Sequence, residues 1–419
     1  MAELNILVYP HAMEVGGSQL NAIELAAAVR DRGHGVAVIG EDGPLVDRIH
    51  ALGLEHLSLP SKRRRPSPSV ASHLRSLVRR RGLNVVHGYE WPPALEAAAA
   101  AYGTPGTAAV CTVMSMAVAP FLPATMPLVV GTAALQKHTA ARRHGPVHLI
   151  EPPVDVRENA PDFSAGDFRA QYGLDGSLLL GVVCRLVPEL KLEGLLTAIE
   201  VVGRLAAEHP LQLVVVGDGP ARDQVAGHAR KANAEAGRTV VALTGQLMDP
   251  RPAYAAADVM LGMGGSALRA LAFGKPLVVQ GERGFWELLT RESCPLFLEQ
   301  GWYGIGDGAG GPELLTAILR QLLDDAALRE RLGRYGRELA VERFSLHRAA
   351  QVQEEIYRTA VASAADGGQT RAGLRSAAGL ISYKMRRRYE GMRGTAARDD
   401  FNAAVLAQAA ADGKREAAR

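Results

Sequence analysis

Two cations stand six residues apart, Arg185 and Lys191, directly after the continuous apolar run Leu178 to Val183. Such a run reads as a strand buried on both faces, so Arg185 is delivered to a strand's carboxyl end. A second run, Leu213 to Val216, ends in Gly217-Asp218-Gly219-Pro220 and leads into a helical stretch, Arg222 to Ala236. A third, Asp258 to Leu261, stops at Gly262. Gly264-Gly265-Ser266 then opens a helix, Ala267 to Phe273, which Gly274 and Pro276 terminate. Backbone N–H groups at a helix start, with the helix dipole, suit an anion. Arg and Lys add full charges and directed hydrogen bonds. Two cations and a glycine-rich helix start fit a diphosphate better than a single carboxylate.

The elements that position these groups are those of a parallel α/β sheet, in which ligands bind outside the carboxyl ends of the strands. The ordered motifs GVVCRLVPELK, VVVGDGP, LTGQ, YAAADV, GMGGS and ALRALAFGKP resemble the donor-binding domain of the retaining, family 4 type of GT-B glycosyltransferases. Asn5 to Ile39, NILVYPHAMEVGGSQLNAIELAAAVRDRGHGVAVI, is similar to that family's N-terminal glycine loop and first helix. The resemblance covers roughly residues 4 to 360; no one motif carries it, but their joint order does. It implies two Rossmann-like parallel-sheet domains facing an interdomain cleft, with C-terminal helices crossing back. The expected division is 1–165 for acceptor binding, 166–345 for nucleotide-sugar binding, 346–365 for a crossing helix and 366–419 for a basic helical tail.

The resemblance further implies transfer of a sugar from a UDP- or GDP-sugar to an acceptor hydroxyl with retention, no metal and no cofactor. Arg185 and Lys191 would stabilise the leaving diphosphate. Gly16, Gly17, Gly217, Gly245, Gly264, Gly265, Ser266, Ala267, Leu268, Arg269 and Phe285 are the donor-side candidates. The loop Gly281 to Trp286 would face the sugar, and domain closure would exclude water. One departure stands out. The family's paired glutamates fall here on Leu261 and Arg269. Arg cannot accept a hydrogen bond from ribose hydroxyls. Either Arg269 contacts phosphate or another nucleotide arrangement, or donor binding is lost. Two rivals follow: a nucleotide-sugar epimerase of the same architecture, needing acid and base groups, and a non-catalytic sugar-binding relative. A dehydrogenase is disfavoured because no G-x-G-x-x-G follows the first strand.

In the first half, Gly16-Gly17 leads into a helix from Ser18, a suitable N-cap, to about Arg32. The glycine pair either admits a substrate to the backbone or merely makes a tight turn. The basic run Ser61 to Pro66 reads as a solvated loop, with a phosphate or membrane contact as the alternative. His87 and Glu90, at the carboxyl end of Val85-Val86-His87, are candidate catalytic groups on the acceptor side; the competing reading makes His87 structural and Trp91 packing. Met114 or a neighbour stands where the resembled family often places a histidine facing the sugar.

The chain has 419 residues, room for two domains, and a net charge of +3, too small to indicate nucleic acid. Cys111, Cys184 and Cys294 are scattered in apolar contexts, without metal spacing, and read as inert thiols. No secretory leader is visible, so a cytoplasmic location is expected. Thr104 to Gln136 is uncharged and long enough for a bilayer, but Pro120, Pro123 and Pro127 divide it into two short strands, Ala109 to Val113 and Leu128 to Gly131. Glu313 to Arg343 reads as helical. In the tail, Ala372 to Met392 places Lys384, Arg386, Arg387 and Arg388 beside Leu380, Ile381, Tyr383, Met385 and Tyr389. A basic amphipathic helix of this kind lies on an anionic membrane or packs on the enzyme or a partner. From Arg393 the composition reads as a frayed end. The Arg-, Ala- and Gly-rich composition is that of a high-GC bacterial source and is compatible with natural product biosynthesis. The expected partners are a nucleotide-sugar donor and a small-molecule or glycan acceptor.

Overall fold

A computed structural model describes residues 2–364 and 369–393. The reading of a frayed end beyond Arg393 lies outside the described residues. The chain forms two compact units, Met1–Glu151 with Leu346–Arg419, and Pro152–Ser345.

In unit 1 the chain runs β1 (Asn5–Tyr9), α1 (Gly17–Arg30), β2 (Gly35–Glu41), α2 (Val46–Ala51), β3 (Glu55–Leu59), α3 (Pro68–Arg81), β4 (Val85–Tyr89), α4 (Trp91–Ala101), β5 (Ala108–Val113), β6 (Leu128–Val130), α5 (Ala133–Ala140) and β7 (Val147–Leu149). The described strands form one parallel sheet in the order β3-β2-β1-β4-β5-β6-β7. Every residue of β4 is buried, as a strand covered on both faces requires. Helix α3 shows how local sequence sets its ends. Ser67 Oγ accepts from the Val70 amide, Pro68 opens the first turn, and Gly82 closes the helix in the left-handed region at φ 60°. The uncharged stretch Thr104 to Gln136 holds β5, β6 and a loop that buries Phe121, Leu122 and Met126. No described helix is long and apolar enough to cross a membrane.

Unit 2 runs α6 (Phe168–Gln171), β8 (Leu178–Val183), α7 (Pro188–Leu205), β9 (Leu211–Val216), α8 (Arg222–Ala236), β10 (Val241–Gly245), α9 (Arg251–Ala256), β11 (Val259–Gly262), α10 (Gly265–Ala272), β12 (Leu277–Gln280), β13 (Trp286–Leu288), α11 (Cys294–Gln300), α12 (Gly311–Asp324) and α13 (Ala326–Arg343). Its sheet order is β10-β9-β8-β11-β12-β13, parallel except for the edge strand β13. Each unit is thus built on a Rossmann-like, predominantly parallel sheet. The helical stretch over Glu313 to Arg343 consists of two helices. Asp325 is extended at φ −121°, and its carboxylate caps α13 by accepting from the Leu328 amide at 2.8 Å.

Residues 152–165, expected with the first domain, belong to unit 2. The Val154 amide donates to Phe344 O at 2.8 Å. Arg337 donates to the carbonyls of Val156, Asn159 and Ala272 at 2.8, 3.0 and 2.6 Å. An arginine far along the chain thus gathers the carbonyls of this polar segment.

After unit 2 the chain returns to unit 1 as α14 (Leu346–Ser363) and α15 (Gln369–Met392). Helix α14 packs on α1, placing Ile356, Tyr357 and Ala360 in one core with Ile6, Val8 and Ile23. Burial opposes the charge of Glu354. Hydrogen bonds from Arg358 and Arg32, at 2.9 and 2.6 Å, nevertheless hold its carboxyl down at about 2. Helix α15 packs by Leu380 and Tyr383 against Trp91 and Phe121, and Ser376 Oγ donates to Phe121 O at 2.6 Å. Trp91 is therefore a packing residue.

Candidate functional site

The connections leaving β8 and β11, adjacent strands of unit 2, go to opposite sides of the sheet. Their carboxyl ends thus form its topological switch point, the place where open α/β sheets hold ligands. Arg185 follows β8, and Gly264 follows β11. The Arg185 side chain is exposed and Lys191 half-buried; among the described residues neither has a hydrogen-bond or ion-pair partner. By contrast, Arg169, Arg251 and Lys275 in the same unit are held by Asp258, Asp249 and the Ala255 carbonyl.

Lys191 owes its place to a break in α7. Glu189 is extended (ψ 136°) and Leu190 takes φ 67°, so the helix restarts at Lys191. A non-glycine residue in the left-handed region is strained and persists only where surroundings impose it. Here Glu282 Oε1 accepts from the Leu190 amide at 3.1 Å, while Glu282 Oε2 accepts from Tyr303 Oη at 2.9 Å. Glu193 accepts the amides of Arg283 and Gly284 at 2.9 and 2.6 Å. Two carboxylates therefore bind the Gly281 to Trp286 loop to the start of α7. Sequence reasoning missed Glu193 and Glu282; the only signal was their nearness to Lys191 and to the glycine pair of the loop.

The glycines divide by role. A Cβ on Gly217 would lie 1.8 Å from Cys184 O, and φ there is 143°; Gly219 meets Leu186 O in the same way at 2.3 Å. Both glycines let the β9–α8 turn close on the β8–α7 turn. Gly217 N donates to Gly245 O at 2.9 Å. Gly217, Arg222, Asn233, Leu243, Thr244 and Gly245 line a cavity of ≈ 250 Å³ at this edge. Gly264 takes φ 56° and donates to Trp302 O at 2.7 Å. Gly265 is exposed, with open space where a Cβ would stand, and no side chain caps α10. The amides of that first turn therefore face an accessible surface. Ser266 Oγ turns back to Met263, donating to its carbonyl at 2.9 Å. Ala267 and Leu268 are buried, so they offer a ligand only backbone. Arg269 is half-buried on α10 close enough to Tyr254 to act on its phenol. The Phe285 ring lies over Gly304, where a Cβ would approach it to 2.4 Å; it is a packing contact that braces the loop. Leu261 is core.

In unit 1 the corresponding switch point is between β1 and β4. Helix α1 starts at Gly17 with Gly16 as an extended N-cap; Ser18 is inside the helix and caps nothing. Gly17 is exposed, and a Cβ there would meet nothing within 4 Å. His87 is not available to a substrate. It is fully buried, with Nδ1 2.6 Å from Tyr357 Oη and Nε2 2.8 Å from Thr112 Oγ1. Burial pushes its pKa down to about 3, so the ring is a neutral structural group. Glu90 takes φ 63° as N-cap of α4, and its Oε1 accepts the amides of Met114 and Ser115 at 2.9 and 3.1 Å. It holds the loop after β5.

The basic run 61–66 is solvated only in part: Lys62 and Arg64 are exposed, whereas Arg63 and Arg65 are drawn inward. Arg63 and Arg65 both reach Glu41 at 2.8 Å, and Arg63 also donates to Tyr9 Oη at 3.1 Å, which donates to Glu96 at 2.8 Å. Burial opposes the charge on Glu41, but the two guanidiniums hold its carboxyl below the usual range; burial raises Glu96. Unit 1 also contains a cavity of ≈ 1110 Å³, but at the other end of its sheet. Ala108, Pro127 and Pro146, at or before the starts of β5, β6 and β7, line it with Ile356 and Leu380.

Comparison with known proteins agrees with this geometry. Residues 177–325 match the family model "Glycosyl transferases group 1" and residues 15–158 the model "Glycosyltransferase Family 4". A 2-deoxystreptamine glucosyltransferase from Streptomyces kanamyceticus is 29% identical over 240 residues, 52% of this chain and 58% of that protein's length. The matched region thus spans less than two thirds of that relative. A glycosyltransferase from Rickettsia africae superposes with a TM-score of 0.69 at 15% identity, covering 86% of this chain and 99% of that one. Anabaena HepE, solved with UDP, gives 0.65 at 16% identity, covering 85% and 100%. At such identities these structures establish the fold.

Proposed function

We propose that this protein, with a GT-B fold and glycosyltransferase domains in both units, moves a sugar from a UDP- or GDP-sugar to an acceptor hydroxyl, with retention and without a metal ion. The observation that carries this is the pair Arg185 and Lys191, partnerless cations beside an uncapped helix start at the switch point of unit 2. As the bond from the anomeric carbon to the diphosphate oxygen breaks, negative charge grows on that oxygen. Arg185, Lys191 and the amides at the start of α10 stabilise it in fixed positions. The acceptor oxygen bonds to the anomeric carbon on the face the diphosphate leaves, and its proton passes to the departing phosphate oxygen. The loop held by Glu193 and Glu282 positions the sugar. That HepE was solved with UDP supports a uridine nucleotide. The glucosyltransferase relative supports a small polyhydroxylated natural product as acceptor.

Removal of His87 from the accessible groups weakens the epimerase reading, which needs paired acid and base groups. The test is calorimetric titration with UDP, GDP and dTDP, with and without EDTA, followed by product analysis with the nucleotide sugar that binds. Micromolar binding of one nucleotide, unchanged by EDTA, is expected. If none binds, the chain is a non-catalytic relative and Arg269 marks a lost donor site.

A further inference from the structure

We propose that α15 docks unit 1 on an anionic lipid surface. At about 100° per residue, Ile381, Met385, Tyr389 and Met392 fall within about 80° of arc on this helix. Their exposures are 57, 63, 50 and 74%. Among the described residues these are four of the nine large apolar side chains left exposed, so the apolar surface is concentrated on one stripe. The stripe points away from the packed face, which carries Ser376, Gly379, Leu380 and Tyr383. Lys384 and Arg388 border it on one side; Arg375, Arg386 and Arg393 border it on the other. The helix Gln369–Met392 holds six Lys and Arg residues against one carboxylate, Glu390, to which Arg386 and Arg387 lie at 3.5 and 4.0 Å.

An apolar stripe between rows of cations matches the boundary of an anionic bilayer, where apolar side chains enter the acyl region and cations meet headgroups. Tyr389 adds an aromatic ring of the kind enriched at that boundary. The charge pattern decides against a second copy of the chain, since two such stripes face to face would bring like-charged margins together. It also disfavours a nucleic acid, which would use the cations and leave the four apolar side chains in water. The contact is independent of the transferase reading, because none of these residues belongs to the donor-side set.

The experiment is vesicle flotation of the full chain with phosphatidylcholine alone and with added phosphatidylglycerol. Partitioning into the anionic vesicles is expected to exceed that into neutral ones by about tenfold or more, and to fall with salt. Ile381→Glu with Met385→Glu, and separately Lys384→Glu with Arg388→Glu, should each abolish it while leaving the thermal transition and nucleotide binding unchanged. Equal partitioning into both vesicles, or none into either, would overturn the proposal. So would retained binding by the Ile381→Glu, Met385→Glu chain, which would reduce the helix to a polycation. Sedimentation velocity provides a further check: a concentration-dependent dimer abolished by the same apolar substitutions would assign the face to self-association instead.

Discussion

Removing the Arg185 or the Lys191 charge is the most direct trial of the donor site. Neither side chain has a partner among the described residues, so Arg185→Ala and Lys191→Ala leave no buried anion stranded. Arg185 is exposed, and its loss should change folding stability by no more than about 0.5 kcal/mol, as for ordinary surface positions. A charged hydrogen bond to a phosphate contributes about 1.5–3 kcal/mol. At about 1.4 kcal/mol per decade, each substitution should raise the Kd for the nucleoside diphosphate roughly 10- to 150-fold. The gap between wild type and variant should narrow as salt rises. Isothermal titration calorimetry at low and high salt measures both effects, with a thermal melt to show that the fold is intact. The corresponding nucleoside, lacking phosphates, should bind wild type and variants alike. If wild type binds the diphosphate and both variants stay within threefold of it, the cations do not hold the phosphates and the site has been misplaced.

Three further outcomes follow from the same geometry. Arg269→Glu puts a carboxylate on α10, beside the proposed diphosphate site; titration should show binding lost, whereas tighter binding would mean that the native chain has a degraded site. Gly217→Ala forces a Cβ to within 1.8 Å of Cys184 O at a φ of 143°. Strain and overpacking together should cost about 2–5 kcal/mol in urea denaturation, and an unchanged midpoint would refute the close approach. His87 has a folded pKa of about 3 against an ordinary value near 6.5, so between these values the unfolded state binds the extra proton. Its contribution to stability is complete above about pH 6.5 and is lost as pH falls toward 3, at up to about 1.4 kcal/mol per unit. His87→Gln should therefore flatten the stability profile between about pH 4 and 6 relative to wild type, and parallel profiles would sink the assignment.

Much of this protein is written in short stretches. Apolar runs such as Leu178 to Val183 and Leu213 to Val216 declare buried strands, because a strand covered on both faces needs nothing beyond its own side chains to be recognised. Arg185 and the glycine loop at Gly264 were legible because each follows its strand within a few residues. Whether a polar side chain remains available is a different matter, since that depends on what the fold brings to it. Tyr357, 270 residues away, turns His87 from a catalytic candidate into a neutral core group. Glu41 on β2 draws in Arg63 and Arg65, which the sequence presents as solvated. Arg337 assigns residues 152–165 to unit 2, and Glu193 and Glu282 lock a loop whose order no local pattern announces. Hydrophobic periodicity is a local property and survives in one dimension. The pairing of buried charges is settled by distance in three, because a group taken out of water must find its partner wherever the chain has placed one.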